Sequence, residues 1–190
     1  MRTVVVIVVV VFALGLMAGA YFVVTGVSAR PQPGALETAT AHAVRSLAIR
    51  ARVRGVTNPI PASEAVLKEG MEHFADHCAV CHGNDGSGDT EMGRGLYPRA
   101  PDMRLPATQN LSDAELFYII ENGVRLTGMP GWSTGTKEGE TSSWHLVTFV
   151  RHLPKLTKDE LAAMEELNPK SPQEIRQQIE EEKFLQGGPQ

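Results

Sequence analysis

The sequence predicts an all-α protein, and two observations carry that prediction. Capping residues open runs of helical apolar period at Ser63, Ser112, Thr157 and Ser171, and no βαβ pattern accompanies them. In addition, from Thr3 to Val27 the chain carries no charge, and its core from Val4 to Phe12 is wholly apolar. A chain of 190 residues, 42% apolar and 21% charged, has the composition of a globular protein and room for one modest domain plus extra segments. The net charge of -4, with no interleaving of basic and aromatic residues, gives no support for a nucleic-acid partner.

The first element is the apolar run itself. As a helix it would reach roughly 37 Å, enough to cross a hydrocarbon core of about 30 Å. A cleavable signal peptide has a shorter apolar region, about 7–15 residues, although Val27-Ser28-Ala29 has some likeness to a cleavage site. The expectation is an uncleaved anchor over 1–28. Gly15, Ala18 and Gly19 would let another membrane helix approach closely.

Residues 29–62 form a basic, proline-containing linker. Arg30-Pro31-Gln32-Pro33-Gly34 breaks any helix leaving the membrane, and Ala41 to Arg54 reads as a short basic helix with Val44, Leu47, Ala48 and Ala51 on one stripe. Five Arg stand against Glu37 alone between Arg30 and Ala62. Three roles remain open for such a helix: lying on anionic headgroups, docking on a partner subunit, or serving as a solvated spacer. Asn58-Pro59-Ile60-Pro61 marks the next boundary.

The helix opened by Ser63 carries Val66, Gly70, Phe74 and Cys78 at four-residue steps and delivers Cys78-Ala79-Val80-Cys81-His82 from its last turn. Two thiols at this spacing followed directly by His form the c-type haem attachment motif. Each cysteine can add to one haem vinyl group, and His82 is then placed to ligate iron from one face. The only two cysteines of the chain lie here, so a disulfide framework and a four-cysteine metal site are both impossible. A thioredoxin-like redox pair is disfavoured by His82 and by the missing βαβ pattern. His73 and His77 imitate part of a zinc Cys2His2 set, but zinc fingers separate their pairs by about a dozen residues. These two, with His145 and His152, are read as surface or haem-edge polar residues.

Gly83 to Asp89 cannot continue the helix and reads as a tight loop; it lacks the Lys and Ser/Thr of a phosphate-binding loop. Ser112-Asp113-Ala114-Glu115 is a capping box for a helix ending at Gly123. Then comes Gly128-Met129-Pro130, where no apolar stripe surrounds the methionine and its thioether is free to meet a metal. Met1 and Met17 lie in the anchor, Met71 on the first helix, Met92 and Met103 in the haem-flanking loop and Met164 in the tail; Met103 is the competitor. Ser142 to Leu153 reads as a helix whose Trp144 and Phe149 pack near Phe74, ended by Pro154. The tail, 156–190, holds a helix from Thr157 through Leu167 and another from Ser171 to about Phe184. From Lys155 onward it carries eight acidic residues against five basic ones, which makes it a solvated helix or an interaction arm, with Gly187 to Gln190 expected to be disordered.

The order CxxCH, Gly-rich loop, Pro-containing loop, helix, Gly-Met-Pro and final aromatic helix resembles the class I monohaem c-type cytochromes. The wording of His77 to Gly83 and of Tyr97 to Asp102 is similar to membrane-anchored bacterial members and to cytochrome domains of respiratory oxidase subunits. The resemblance covers about Ser63 to Pro154. It implies a cytochrome c fold around one covalent haem c over 63–155, with a single transmembrane helix before it and short helices after it. It makes Cys78 and Cys81 the haem anchors, His82 the proximal iron ligand and Met129 the distal one. Gly70 and Phe74 become the contact between first and last helices, and Pro101, with Pro98 as neighbour, the acceptor for the proximal His.

His and Met together saturate the iron, so the resemblance implies an electron carrier rather than an enzyme, with no small-molecule substrate. Its expected partners are a redox donor and acceptor, the membrane, and subunits of a respiratory complex. A haem-based gas sensor is the alternative, and a peroxidase a weaker one, since no distal acid/base pair is evident. Arg2 alone precedes the anchor and several Arg follow it, which by the positive-inside rule would place the domain in the cytoplasm. Covalent haem attachment in bacteria is extracytoplasmic, as the resemblance implies, and that chemistry outranks the charge count: the haem domain is expected on the periplasmic side.

Overall fold

The computed structural model describes residues 1–26, 28–170 and 172–185, and among these every regular element is helical. Val27, Ser171 as a cap, and the expected disorder of 187–190 fall outside the described residues.

Helix α1, Arg2–Thr25, is exposed from Arg2 to Val24 and is long and apolar enough to cross a membrane. Helix α2, Ala35–Arg52, begins six residues before the expected Ala41. No Ser, Thr, Asp or Asn announces its start. Gly34 in extended conformation serves as N-cap, and Glu37 in the first turn with Arg50 and Arg52 in the last complements the helix dipole. Its Ile49 is buried and Arg50 Nε donates to Glu115 Oε1 at 3.2 Å, so α2 is not wholly solvated but rests on the domain that follows.

Helix α3, Glu64–His73, starts where Ser63 Oγ accepts from the Val66 amide at 3.2 Å. The run does not reach Cys78 as a regular helix, as the four-residue spacing suggested. Phe74–Cys78 forms a wider π-helical turn before the short α4, Ala79–His82, which Gly83 ends at φ 72°. Short helices α5, Glu91–Gly95, and α6, Pro106–Gln109, punctuate the long connection to α7, Asp113–Asn122. The Ser112–Glu115 capping box is formed in both directions. Helix α8, Lys137–His152, begins five residues before the expected Ser142, because Thr136 Oγ1 accepts from the Gly139 amide at 3.1 Å. A 3-10 turn, Leu153–Lys155, leads to α9, Lys158–Leu167, and then to α10, Pro172–Leu185.

The core forms where α3 crosses α8. A Cβ on Gly70 would collide with the carbonyl oxygen of His145 and lie 3.0 Å from Phe149 Cβ, so only glycine lets the two helices approach this closely. One turn on, the Phe74 and Phe149 rings pack at 5.1 Å. Trp144 stacks instead on Phe117 of α7, at 4.1 Å and 9°, which ties the third side of the triangle. Met164 of α9 is fully buried in this same core, so the first helix of the acidic tail is packed into the domain.

Candidate functional site

Cys78 ends the π-turn and Cys81 lies on α4, both half-buried and unpaired. Burial, reinforced by the neighbouring Cys81, pushes the Cys78 thiol up to about 12, and burial raises Cys81 as well. A dithiol redox catalyst needs the opposite, a thiol acidified towards neutral pH. Neither thiol is acidified in that way.

The motif's backbone is clamped from the far side by Thr90, whose hydroxyl donates to the carbonyl of Val80 at 2.9 Å or of Cys81 at 3.1 Å. The same oxygen caps α5 by accepting from the Gly93 amide at 2.8 Å. Thr90 was not singled out in the sequence; its signal is a threonine three residues before a glycine in a loop that returns to the motif.

His82 is largely buried, and its Nδ1 is a buried polar atom with no hydrogen-bond partner. Burial lowers the ring's pKa, while the nearby carbonyl of Pro101 acts to raise it. Of the two prolines, 98 and 101, the second is thus the one beside the imidazole. Gly88 makes this possible: its amide donates to the His82 carbonyl at 2.7 Å, and a Cβ there would lie 3.0 Å from the Pro101 oxygen. An imidazole beside a carbonyl keeps a ring nitrogen for a metal, and the two thiols of the motif precede it. This donor set fits a covalent haem.

Met129 sits half-buried in the loop leaving α7. Gly123 turns the chain at φ 66°, the Val124 amide donates to the Met129 carbonyl at 3.1 Å, and the Met129 amide donates to Thr127 Oγ1 at 3.1 Å. Leu126 holds φ 62°, a left-handed conformation that costs a leucine free energy and persists only where the loop imposes it. Two contacts hold this loop in place. Trp132 stacks on His77, the residue before Cys78, at 5.5 Å and 17°. On the other side, Gly128 packs on Leu96, just past α5. Met103, by contrast, is buried in the core, with its amide donating to Gly86 and its carbonyl accepting from Gln109.

The other histidines take polar partners. His145 Nδ1 lies 2.8 Å from Glu69 and His152 Nε2 2.8 Å from Glu160. His73 stands edge-on to His77, its pKa lowered by burial and by His77, with Asp76 opposing.

Residues 65–150 match the family model described as cytochrome C oxidase, cbb3-type, subunit III. The chain is 32% identical over 109 residues to a cbb3-type cytochrome c oxidase subunit FixPc of Rhizobium leguminosarum, covering 55% of this chain and 33% of that one. It is 33% identical over 109 residues to subunit FixP of Rhizobium etli, with the same coverage, and 30% identical over 110 residues to FixP of Azorhizobium caulinodans, covering 53% and 32%. The chain thus spans about a third of the length of the curated relatives it matches. Residues 65–150 are thus similar to the subunit III family of cbb3-type oxidases, and covalent haem c is the cofactor that this similarity and the CxxCH motif together imply.

Proposed function

We propose that this chain is a membrane-tethered electron carrier, with Cys78 and Cys81 holding haem c, His82 as proximal iron ligand and Met129 as distal ligand. The observation that carries the reading is the stacking of Trp132, in the Met129 loop, on His77 beside the attachment motif, with Gly128 against Leu96, while Met103 is used in the core. When bound, haem supplies one-electron redox chemistry. The chain's own part is to hold it. The thiols would fix its edge, His82 beside the Pro101 carbonyl would ligate the iron, and the Met129 thioether would occupy the remaining iron position against exogenous ligands. No side chain in that arrangement is placed to transform a substrate, and we read the protein as an electron-transfer component, not an enzyme.

The partners proposed are a redox donor and acceptor at the bilayer surface, within a respiratory complex of the kind named for the relatives. α1 would run with its amino terminus inside and the cytochrome domain on the periplasmic side, since haem attachment to CxxCH belongs there. The test is Met129→Ala beside Met103→Ala. The Met129 variant is expected to keep haem attached but lose the sulfur-to-iron charge-transfer absorbance and fall in reduction potential. Loss of that band in the Met103 variant alone would sink the assignment. Prompt carbon monoxide binding by the reduced native protein at neutral pH would favour a gas sensor instead.

A further inference from the structure

Helix α2 is amphipathic in an unexpected sense. One side rests on the cytochrome domain through Ile49 and the Arg50–Glu115 pair. The other side is apolar and uncovered: Leu36, Val44 and Leu47 are 82%, 62% and 74% exposed. At 100° per residue these three share one stripe with Thr40, Ala43 and Ala51, all exposed as well. The stripe carries no charge, and its single hydroxyl is satisfied inside the helix, Thr40 Oγ1 donating to the Leu36 carbonyl at 2.7 Å.

What covers such a face is indicated by where the helix begins. Residues 26–34 link it to α1 and can span at most about 30 Å. The first turn of α2 is tied to the cytochrome domain, the Tyr97 hydroxyl donating to Glu37 Oε1 at 2.7 Å. That hydrogen bond raises the Tyr97 phenol, and Tyr21, in the last turns of α1, lies close enough to add to the rise. Tyrosines gather at the level of lipid headgroups, so the cluster marks the bilayer surface. Arg45, Arg52 and Arg54 on or beyond α2, and Arg30 before it, add the positive charge that anionic headgroups attract.

We propose that the Leu36–Val44–Leu47 face of α2 lies in the headgroup region of the bilayer crossed by α1, so that α2 brackets the cytochrome domain to the membrane surface. The domain is then held at a set height and tilt, instead of swinging on a free tether, and its redox partners are met within one layer above the bilayer. The inference rests on α1 being a membrane helix.

The test uses the full haem-loaded chain in vesicles of phosphatidylcholine with about a quarter phosphatidylglycerol, doped with a diazirine-bearing phosphatidylcholine, with adducts located by mass spectrometry after irradiation. Adducts are expected in α1 and on the Leu36–Leu47 stripe of α2. A Val44→Glu/Leu47→Glu variant should reduce α2 labelling by about fivefold or more and leave α1 labelling unchanged. Ala41→Glu/Ala48→Glu adds the same charge about a quarter-turn round the exposed helix surface and should keep the α2 adducts. Labelled α1 with unlabelled α2, as when a second copy covers the stripe, would overturn the proposal while leaving the anchor intact. Labelling of neither helix would overturn the anchor as well.

Discussion

Glu115 illustrates how one side chain can serve two parts of the molecule. It is buried, which by itself would raise its carboxyl pKa. The Ser112 backbone and side-chain hydrogen bonds and the Arg50 guanidinium outweigh that and hold it below the usual range. Glu115→Ala removes both the capping-box acceptor and the seat of α2, and is expected to lower unfolding stability by about 1–2 kcal/mol. Arg50 is mostly exposed, so Arg50→Ala should cost only about 0.5–1 kcal/mol; denaturant titration of the two variants measures the difference. Glu160 is likewise lowered: burial opposes, and Thr157 and His152 prevail. Carboxyls depressed in the fold stabilise it above their unfolded pKa and lose that contribution as pH falls through the folded value. His73 works from the neutral side: its pKa is lowered in the fold, so the unfolded chain takes up the proton first and stability falls as pH drops below about 6.5. Thermal unfolding should therefore weaken in two stages, one below about pH 6.5 and a second below about pH 4.5. A flat profile from pH 7 to 5 would contradict the histidine stage.

Among the elements, those with a complete local signal were legible and those shaped by neighbours were not. Ser63, Ser112 and Thr157 each placed a helix start correctly, because a cap hydroxyl and the amide it accepts from lie within three residues. The early starts of α2 and α8 went unseen because Gly34 offers no cap side chain and Thr136 precedes a polar first turn with no apolar stripe. The π-turn at Phe74–Cys78 was beyond reach: its cause is tertiary, the need to seat Phe74 on Phe149 and still present Cys78 beside α4. The Gly70 crossing gives a prediction at this scale. Gly70→Ala forces a methyl against the His145 carbonyl and Phe149 Cβ, and overpacking of this kind costs about 1–3 kcal/mol or more. A variant as stable as the native protein in guanidinium titration would show that α3 and α8 can part without loss.

For the whole molecule, α9 is the element whose place the charge pattern obscured. Its acidic residues fit a solvated helix or an interaction arm, yet Met164 is wholly buried with Phe74 and Phe149 in the core. Met164→Ala is expected to destabilise by about 2–5 kcal/mol, read by thermal unfolding with haem attached. Truncation after Lys155 should be more damaging than truncation after Lys170, which spares α9. Equal stability of the two truncated chains would make α9 a peripheral arm.

The sequence by itself determined the cofactor motif, the helical class, the apolar anchor and the shortlist of Met129 and Met103, because each depends on residues close together in the chain. Tertiary structure decided how the pieces meet: which proline faces His82, which methionine the core consumes, that α9 belongs to the core, and that α2 leans on α7 while exposing an apolar face. Those outcomes depend on side chains far apart in the chain, 65 positions for Arg50 and Glu115, and only packing brings such residues into contact.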